Sequence, residues 1–183
     1  MIVRWGALQM ERLSNVICGI AFVVGLVLID QLVKYWVLEA LDTDQVVSLL
    51  PWLHLYRVWN SGVAFSLFAS QDSTAVMLLL LITGGLLVAL WGYCLQMLVY
   101  SKNLHRTMVL LLLCAGGFAN WIDRVMYGAV LDYIYLHYSG WYWPTIFNLA
   151  DVYISIGCVY YLYVACFHVE PAAVRVLSSK GAA

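Results

Sequence analysis

Between Ser73 and Ser101 the chain reads STAVMLLLLITGGLLVALWGYCLQMLVYS, without one charged side chain. At about 1.5 Å of rise per residue, a helix of that length crosses the roughly 30 Å hydrocarbon core of a bilayer. Outward from it lie three more uncharged runs, Leu13 to Ile29, Thr107 to Ile122 and Val152 to Val169. The Thr107 run is slightly short and is expected to extend through Asp123 or so. The chain has 183 residues, 64% of them hydrophobic and 10% charged, with a mean hydropathy of +0.88. That is too apolar for an ordinary water-soluble domain. The expectation is an all-α membrane protein in a single domain over 1–183. Its four transmembrane helices should cover approximately 13–34, 73–101, 105–125 and 148–169.

The few charges orient those spans. Arg4 and Arg12 precede the first, Lys102 and Arg106 lie in the tight second connection, and Arg175 and Lys180 are in the tail. Glu39, Asp42, Asp44 and Asp72 occupy the first connection. The basic side is expected to be cytoplasmic, which puts both termini inside and segments 35–72 and 125–147 outside. The first span has no small-x-small cleavage pattern before Asp30 and reads as a retained anchor. The formal net charge is −1 and no basic run occurs, so a nucleic-acid partner is not expected. Cys18, Cys94, Cys114, Cys158 and Cys166 all fall within the spans, where a thiol serves as a small hydrophobe. No Cys-x-x-Cys pair occurs, and His54, His105, His137 and His168 lie in unrelated segments. Neither a zinc cluster nor a thiol oxidoreductase is expected.

The outer segments have their own pattern. Leu53-His54-Leu55-Tyr56-Arg57-Val58-Trp59 alternates and is rich in strand formers, and Ala129 to His137 is rich in Val, Ile and Tyr. Pairing of the two would give a small extracytoplasmic β element lying on the membrane surface. Trp52, Trp59, Trp141, Tyr142 and Trp143 read as interfacial anchors rather than ligand contacts.

With that topology, Asp30-Gln31-Leu32-Val33-Lys34, Asn120-Trp121-Ile122-Asp123-Arg124 and Asn148-Leu149-Ala150-Asp151 all arrive at one membrane face. Ionisable groups next to hydrocarbon are expensive and normally face a bundle interior or a wet cavity, so their collection at one level marks a candidate site. Gly116, Asn120 and Asp123 share a face of the third helix; Asn148, Asp151 and Ser155 share one on the fourth. Such stripes can also simply hold helices together, with Gly116 and Gly117 allowing close approach. The carboxylates are harder to dismiss. Asp30 has Lys34 one turn away and reads as a structural ion pair. Asp123 adjoins Arg124, but neighbours on a helix point about 100° apart. Asp132 and Asp151 have no basic neighbour within five residues. A carboxylate near low dielectric without a cation binds its proton more tightly, and two close together cannot both ionise. One carboxylate can then take a proton from water while the other donates one to a carbonyl.

Five blocks stand in order along the chain: Asp30-Gln-Leu-Val-Lys34, Asn60-Ser-Gly-Val-Ala-Phe65, Gly116-Gly-Phe-Ala-Asn-Trp-Ile-Asp-Arg124, Val130-Leu-Asp-Tyr133 and Phe147-Asn-Leu-Ala-Asp151. In these the chain resembles the lipoprotein signal peptidases, or signal peptidase II, from Asp30 to Ile154. Each block is weak alone; the ordered set is specific. The resemblance implies a metal-independent aspartic endopeptidase of the bacterial inner membrane, without cofactor, whose catalytic pair is Asp132 and Asp151. It implies supporting roles for Asn60, Asn120, Asp123, Arg124, Asn148, Asp30 and Lys34. The implied substrate is a prolipoprotein whose cysteine carries a diacylglyceryl group, cut just before that cysteine. Membrane lipid and cyclic peptide inhibitors of the globomycin type are the other implied partners. Two departures are small: Ala119 stands where glycine is common, and Tyr133 where phenylalanine is common.

Two other functions compete. A small carrier would place its carboxylates near the midplane on broken helices, whereas these lie at helix ends. A structural membrane subunit would leave the five-block order unexplained. A presenilin-like protease would need a Gly-x-Gly-Asp signature, which is absent.

Overall fold

The computed structural model describes residues 2–43, 45–62, 73–101 and 103–167. Asp44, Asp72, Lys102, His168, the Val63, Ala64 and Phe65 part of the second block, and the tail bearing Arg175 and Lys180 lie outside the described residues. Eight elements follow in order: α1 (Ile2–Ala40), β1 (Val46–Leu50), β2 (Leu53–Asn60), α2 (Ser73–Tyr100), α3 (Leu104–Tyr127), β3 (Val130–Tyr138), β4 (Trp141–Tyr142) and α4 (Leu149–Phe167). All four helices are long and apolar enough to cross a membrane.

Helix α3 is the hub, touching α1, α2 and α4. Half of its most apolar window is buried against protein, compared with 6% for α2, whose Leu81, Leu86 and Val88 project outward. Glycine at 116 is what lets α3 meet α4, because a Cβ there would lie 2.4 Å from the Ala150 carbonyl oxygen. Gly117 does the same toward Leu87 of α2. Asn103 caps α3, its side chain accepting from Arg106 N–H; at the far end Gly128, at φ 72°, returns its N–H to the Arg124 carbonyl. The left-handed conformation there is one that a side chain would strain. Cys94 and Cys114 are buried in the core between helices, whereas Cys18, Cys158 and Cys166 are exposed on the apolar surface.

The two strand-like segments do pair. β2 and β3 are the central strands of a four-stranded antiparallel sheet in the order β1-β2-β3-β4. β1 and β4 were not expected. β1 folds back on β2 after Leu50, and β4 pairs with β3 across the Ser139-Gly140 turn, both of whose residues have positive φ. Leu55, Leu131 and Tyr133 pack on Val37 and Leu41 at the end of α1, which fixes the sheet to one end of the bundle. Arg57 adds to this by donating to the otherwise open carbonyls of Leu38 and Leu41.

Candidate active site

Asn148 is fully buried immediately before α4. Its Oδ1 accepts the Asp151 N–H at 3.0 Å, and the Asp151 carboxylate accepts the Asn148 N–H at 3.2 Å. This is a reciprocal capping box written Asn-x-x-Asp, and it fixes Asp151 in the positive first turn of α4. The next open amide, Ala150 N–H, is satisfied from another helix, donating to Asp30 Oδ1 at 2.8 Å.

The other end of the Asn148 amide serves a different carboxylate. Its Nδ2 donates to Asp132 Oδ1 on β3 at 2.7 Å and also approaches Asn120 Oδ1 at 3.0 Å. Asn60, at the end of β2, donates to Asp132 Oδ2 at 3.0 Å while its own Oδ1 accepts the Gly62 N–H, which fixes which end of that amide faces the acid. Asn120 donates to Asp151 Oδ1 at 2.8 Å. Each carboxylate therefore receives two hydrogen bonds, and one residue, Asn148, serves both.

Behind this layer lies a buried charge cluster. Lys34 Nζ sits 2.8 Å from both Asp30 and Asp123, and it donates to Asn120 Oδ1 at 3.1 Å. With Oδ1 held by the ammonium, Nδ2 of Asn120 is the end presented to Asp151. The expected Asp30–Lys34 ion pair is present, and Asp123 turns to Lys34 rather than to its neighbour Arg124. Asp123 also accepts from Gln31 Nε2 at 2.8 Å and from Leu131 N–H at 3.2 Å. Buried carboxylates need such saturation, since each is costly in low dielectric.

Asp132 is buried, with 4% of its surface exposed. Burial is the main force on it and pushes its pKa from an ordinary 3.8 up to about 6. The Asn60 hydrogen bond opposes that rise, nearby Asp151 adds to it, and the Asn148 hydrogen bond and the Lys34 charge oppose it. Asp132 has no basic neighbour along the chain, yet α1 brings one near in space.

Both acids line a cavity of about 1340 Å³ beneath the sheet. Asn60, Asn120 and Arg124 line it with them, while Asp30, Lys34, Asp123 and Asn148 stand behind as supports. The opposite wall is apolar, including Leu86, Leu87 and Leu90 of α2 and Ile154 of α4. Arg124 donates to the Gly62 carbonyl at 2.9 Å and to Asn120 O at 3.3 Å, leaving Nε buried without a partner among the described residues. Trp59, Tyr142 and Trp143, read from sequence as interfacial anchors, also line the cavity. Sequence reasoning missed Gln31 as a site residue, although its i,i+3 spacing to Lys34 puts the two on one face. It also missed the apolar wall, since nothing distinguishes those leucines from others in α2.

Comparison with known proteins gives this geometry a relationship. A family model described as Signal peptidase (SPase) II matches residues 22–167, from within α1 to the end of α4. The lipoprotein signal peptidase of Thermodesulfovibrio yellowstonii is 38% identical over 138 residues, covering 75% of this chain and 87% of that protein. That of Bartonella henselae is 38% identical over 141 residues, covering 75% and 83%. A bacterial membrane enzyme solved by the in meso method at 1.9 Å resolution superposes with a TM-score of 0.68 at 26% identity, over 83% of this chain and 94% of that one. The matched region contains every member of the hydrogen-bonded network, and the chain belongs to the signal peptidase II family.

Proposed function

We propose that this chain is an aspartic endopeptidase, with Asp132 and Asp151 as its catalytic pair, that removes signal peptides from diacylglyceryl-modified prolipoproteins by cutting just before the lipidated cysteine. One observation carries the reading. Two carboxylates from different elements, β3 and the first turn of α4, are held by a single buried residue, Asn148, through its side-chain amide and its backbone N–H, and open on the same cavity.

The resting pair shares one proton, which resides on Asp132, the acid whose pKa burial raises. Asp151 takes a proton from water as the water oxygen attacks the scissile carbonyl carbon, while Asp132 gives its proton to the carbonyl oxygen. The tetrahedral diol then collapses. The C–N bond breaks, the leaving nitrogen takes the proton held by Asp151, and Asp132 recovers one from a diol hydroxyl. Asn60 and Asn148 keep the Asp132 oxygens in place throughout, and Arg124 positions the substrate or polarises its carbonyl. The apolar wall suits a substrate that is itself a membrane helix bearing acyl chains, which leave a bilayer only at high cost.

The site belongs at the extracytoplasmic face of the bacterial inner membrane, with both termini in the cytoplasm; the basic second connection and tail support that orientation. Cyclic peptides of the globomycin type would occupy the same cavity. The test is purified protein in chelator with two synthetic substrates that differ only in the diacylglyceryl group. Release of a signal peptide ending just before the cysteine, from the lipidated substrate alone, is expected. No cleavage of either substrate by folded protein would refute the reading.

A further inference from the structure

His54 and His137 stand far apart in sequence, and the expectation that they belong to unrelated segments fails in the folded chain. β2 and β3 are hydrogen-bonded neighbours in which His54 is opposite Tyr135, so His137, two residues on, is its diagonal neighbour on the same face. Their ring centroids are 5.6 Å apart, with the planes tilted by 54°.

We propose that His54 and His137 form a two-imidazole binding site for a divalent transition metal such as zinc, separate from the catalytic pair. A ring nitrogen bound at about 2.1 Å places the metal roughly 3.2 Å from the ring centroid, so two rings at a tetrahedral angle have centroids about 5.3 Å apart. The observed separation is within a few tenths of an ångström of that. Ligation would require each ring to turn one nitrogen toward the shared ion.

Three further features fit imidazole ligation. His54 Nδ1 lies 2.8 Å from Ser48 Oγ on β1; in the tautomer that donates to the hydroxyl, the Nε2 lone pair is left for a metal. Among the described residues, no group hydrogen-bonds the His137 ring, which is held instead by packing against Tyr142 at 4.4 Å. Arg57 is the one cation on the four strands, and it is directed to the carbonyls of Leu38 and Leu41 rather than to the histidines. Water would complete the coordination. Tyr142 and Tyr135 stack on each other and line the catalytic cavity, and His137 packs on Tyr142, so a metal on this pair would brace that cavity wall.

The test is equilibrium dialysis of zinc against the full-length protein in detergent after stripping with chelator. Wild type should bind one zinc per chain. His54→Gln and His137→Gln, which keep side-chain volume, should each weaken binding by about tenfold or more, and Ser48→Ala by less. His105→Gln combined with His168→Gln should bind as wild type, because His105 pairs with Tyr160 across α3 and α4. Asp132→Asn with Asp151→Asn should also bind as wild type. Melting of each variant in chelator separates loss of the site from loss of the fold. The proposal is overturned if wild type binds no zinc, if the folded His54→Gln and His137→Gln proteins bind it as wild type does, or if removing the carboxylates abolishes binding.

Discussion

Asn148 divides its amide between two tasks, capping α4 through Oδ1 and holding Asp132 through Nδ2. That division ties both acids to one residue, and the raised proton affinity of Asp132 predicts a pH dependence. Asp132 binds its proton more tightly folded than unfolded, since its pKa rises from 3.8 to about 6. The stability this contributes is fully present below pH 4 or so and is lost as pH rises through about 6, by roughly 3 kcal/mol at most. Wild type should therefore lose that much more unfolding free energy than Asp132→Asn between about pH 4 and pH 7. In parallel, kcat/KM should fall on its alkaline side with a midpoint near 6, as the acid form of Asp132 is lost. Matching pH dependence of unfolding in wild type and variant would contradict the assignment. At this scale the sequence was informative because charge stands out against 64% hydrophobic residues. What it hid were partners in space: Lys34 near Asp132, Gln31 on Asp123, and which end of each amide faces which oxygen.

Among the elements, the approach of α3 to α4 sets the position of Asp151 relative to Asn120. Gly116→Ala would drive a methyl into the Ala150 backbone oxygen, 2.4 Å from the new Cβ, and a backbone atom cannot swing aside as a side chain can. The variant should lose about 1–3 kcal/mol of stability. It should also lose turnover, because Ala150 immediately precedes Asp151. Gly85→Ala meets nothing within 4 Å and should be neutral or slightly stabilising. Unfolding and turnover assays on the pair check this; equal behaviour would mean that the close approach is unimportant. Helices were legible from uncharged runs, and β2 and β3 from their alternation and β-branched content. β1 and β4 were not. Val46–Leu50 carries only five residues of pattern and β4 only two, so both owe their existence to neighbours rather than to their own propensity. The Asn148-x-x-Asp151 box was visible in the sequence as a spacing, but its meaning as a cap depended on knowing where α4 begins.

For the whole molecule, one bundle carries a sheet at one end and directs Asn60, Asn120, Arg124, Asp132 and Asp151 into a cavity with an apolar wall. The proposed orientation rests on loop charge and is checked by cysteine labelling in a background without the native thiols. A cysteine at 102 should react with an impermeant reagent only from the cytoplasm, and one at Ser139 only from outside; the reverse pattern would invert the topology. Asp30, Asp123, Asp132 and Asp151 all belong to one network, and only Asp132 and Asp151 are proposed to do chemistry. The direct measurement is turnover of a diacylglyceryl-cysteine substrate by purified, folded Asp132→Asn, Asp151→Asn and Asp123→Asn proteins, in chelator throughout. Asn keeps the volume of Asp but cannot serve as a base, so the first two should be folded and inactive. Asp123→Asn, which removes a charge paired with Lys34 at 2.8 Å, should show lower yield or melting temperature along with any loss of rate. Normal cleavage by Asp132→Asn beside a folded but dead Asp123→Asn would contradict the account and put Asp123 in the pair with Asp151.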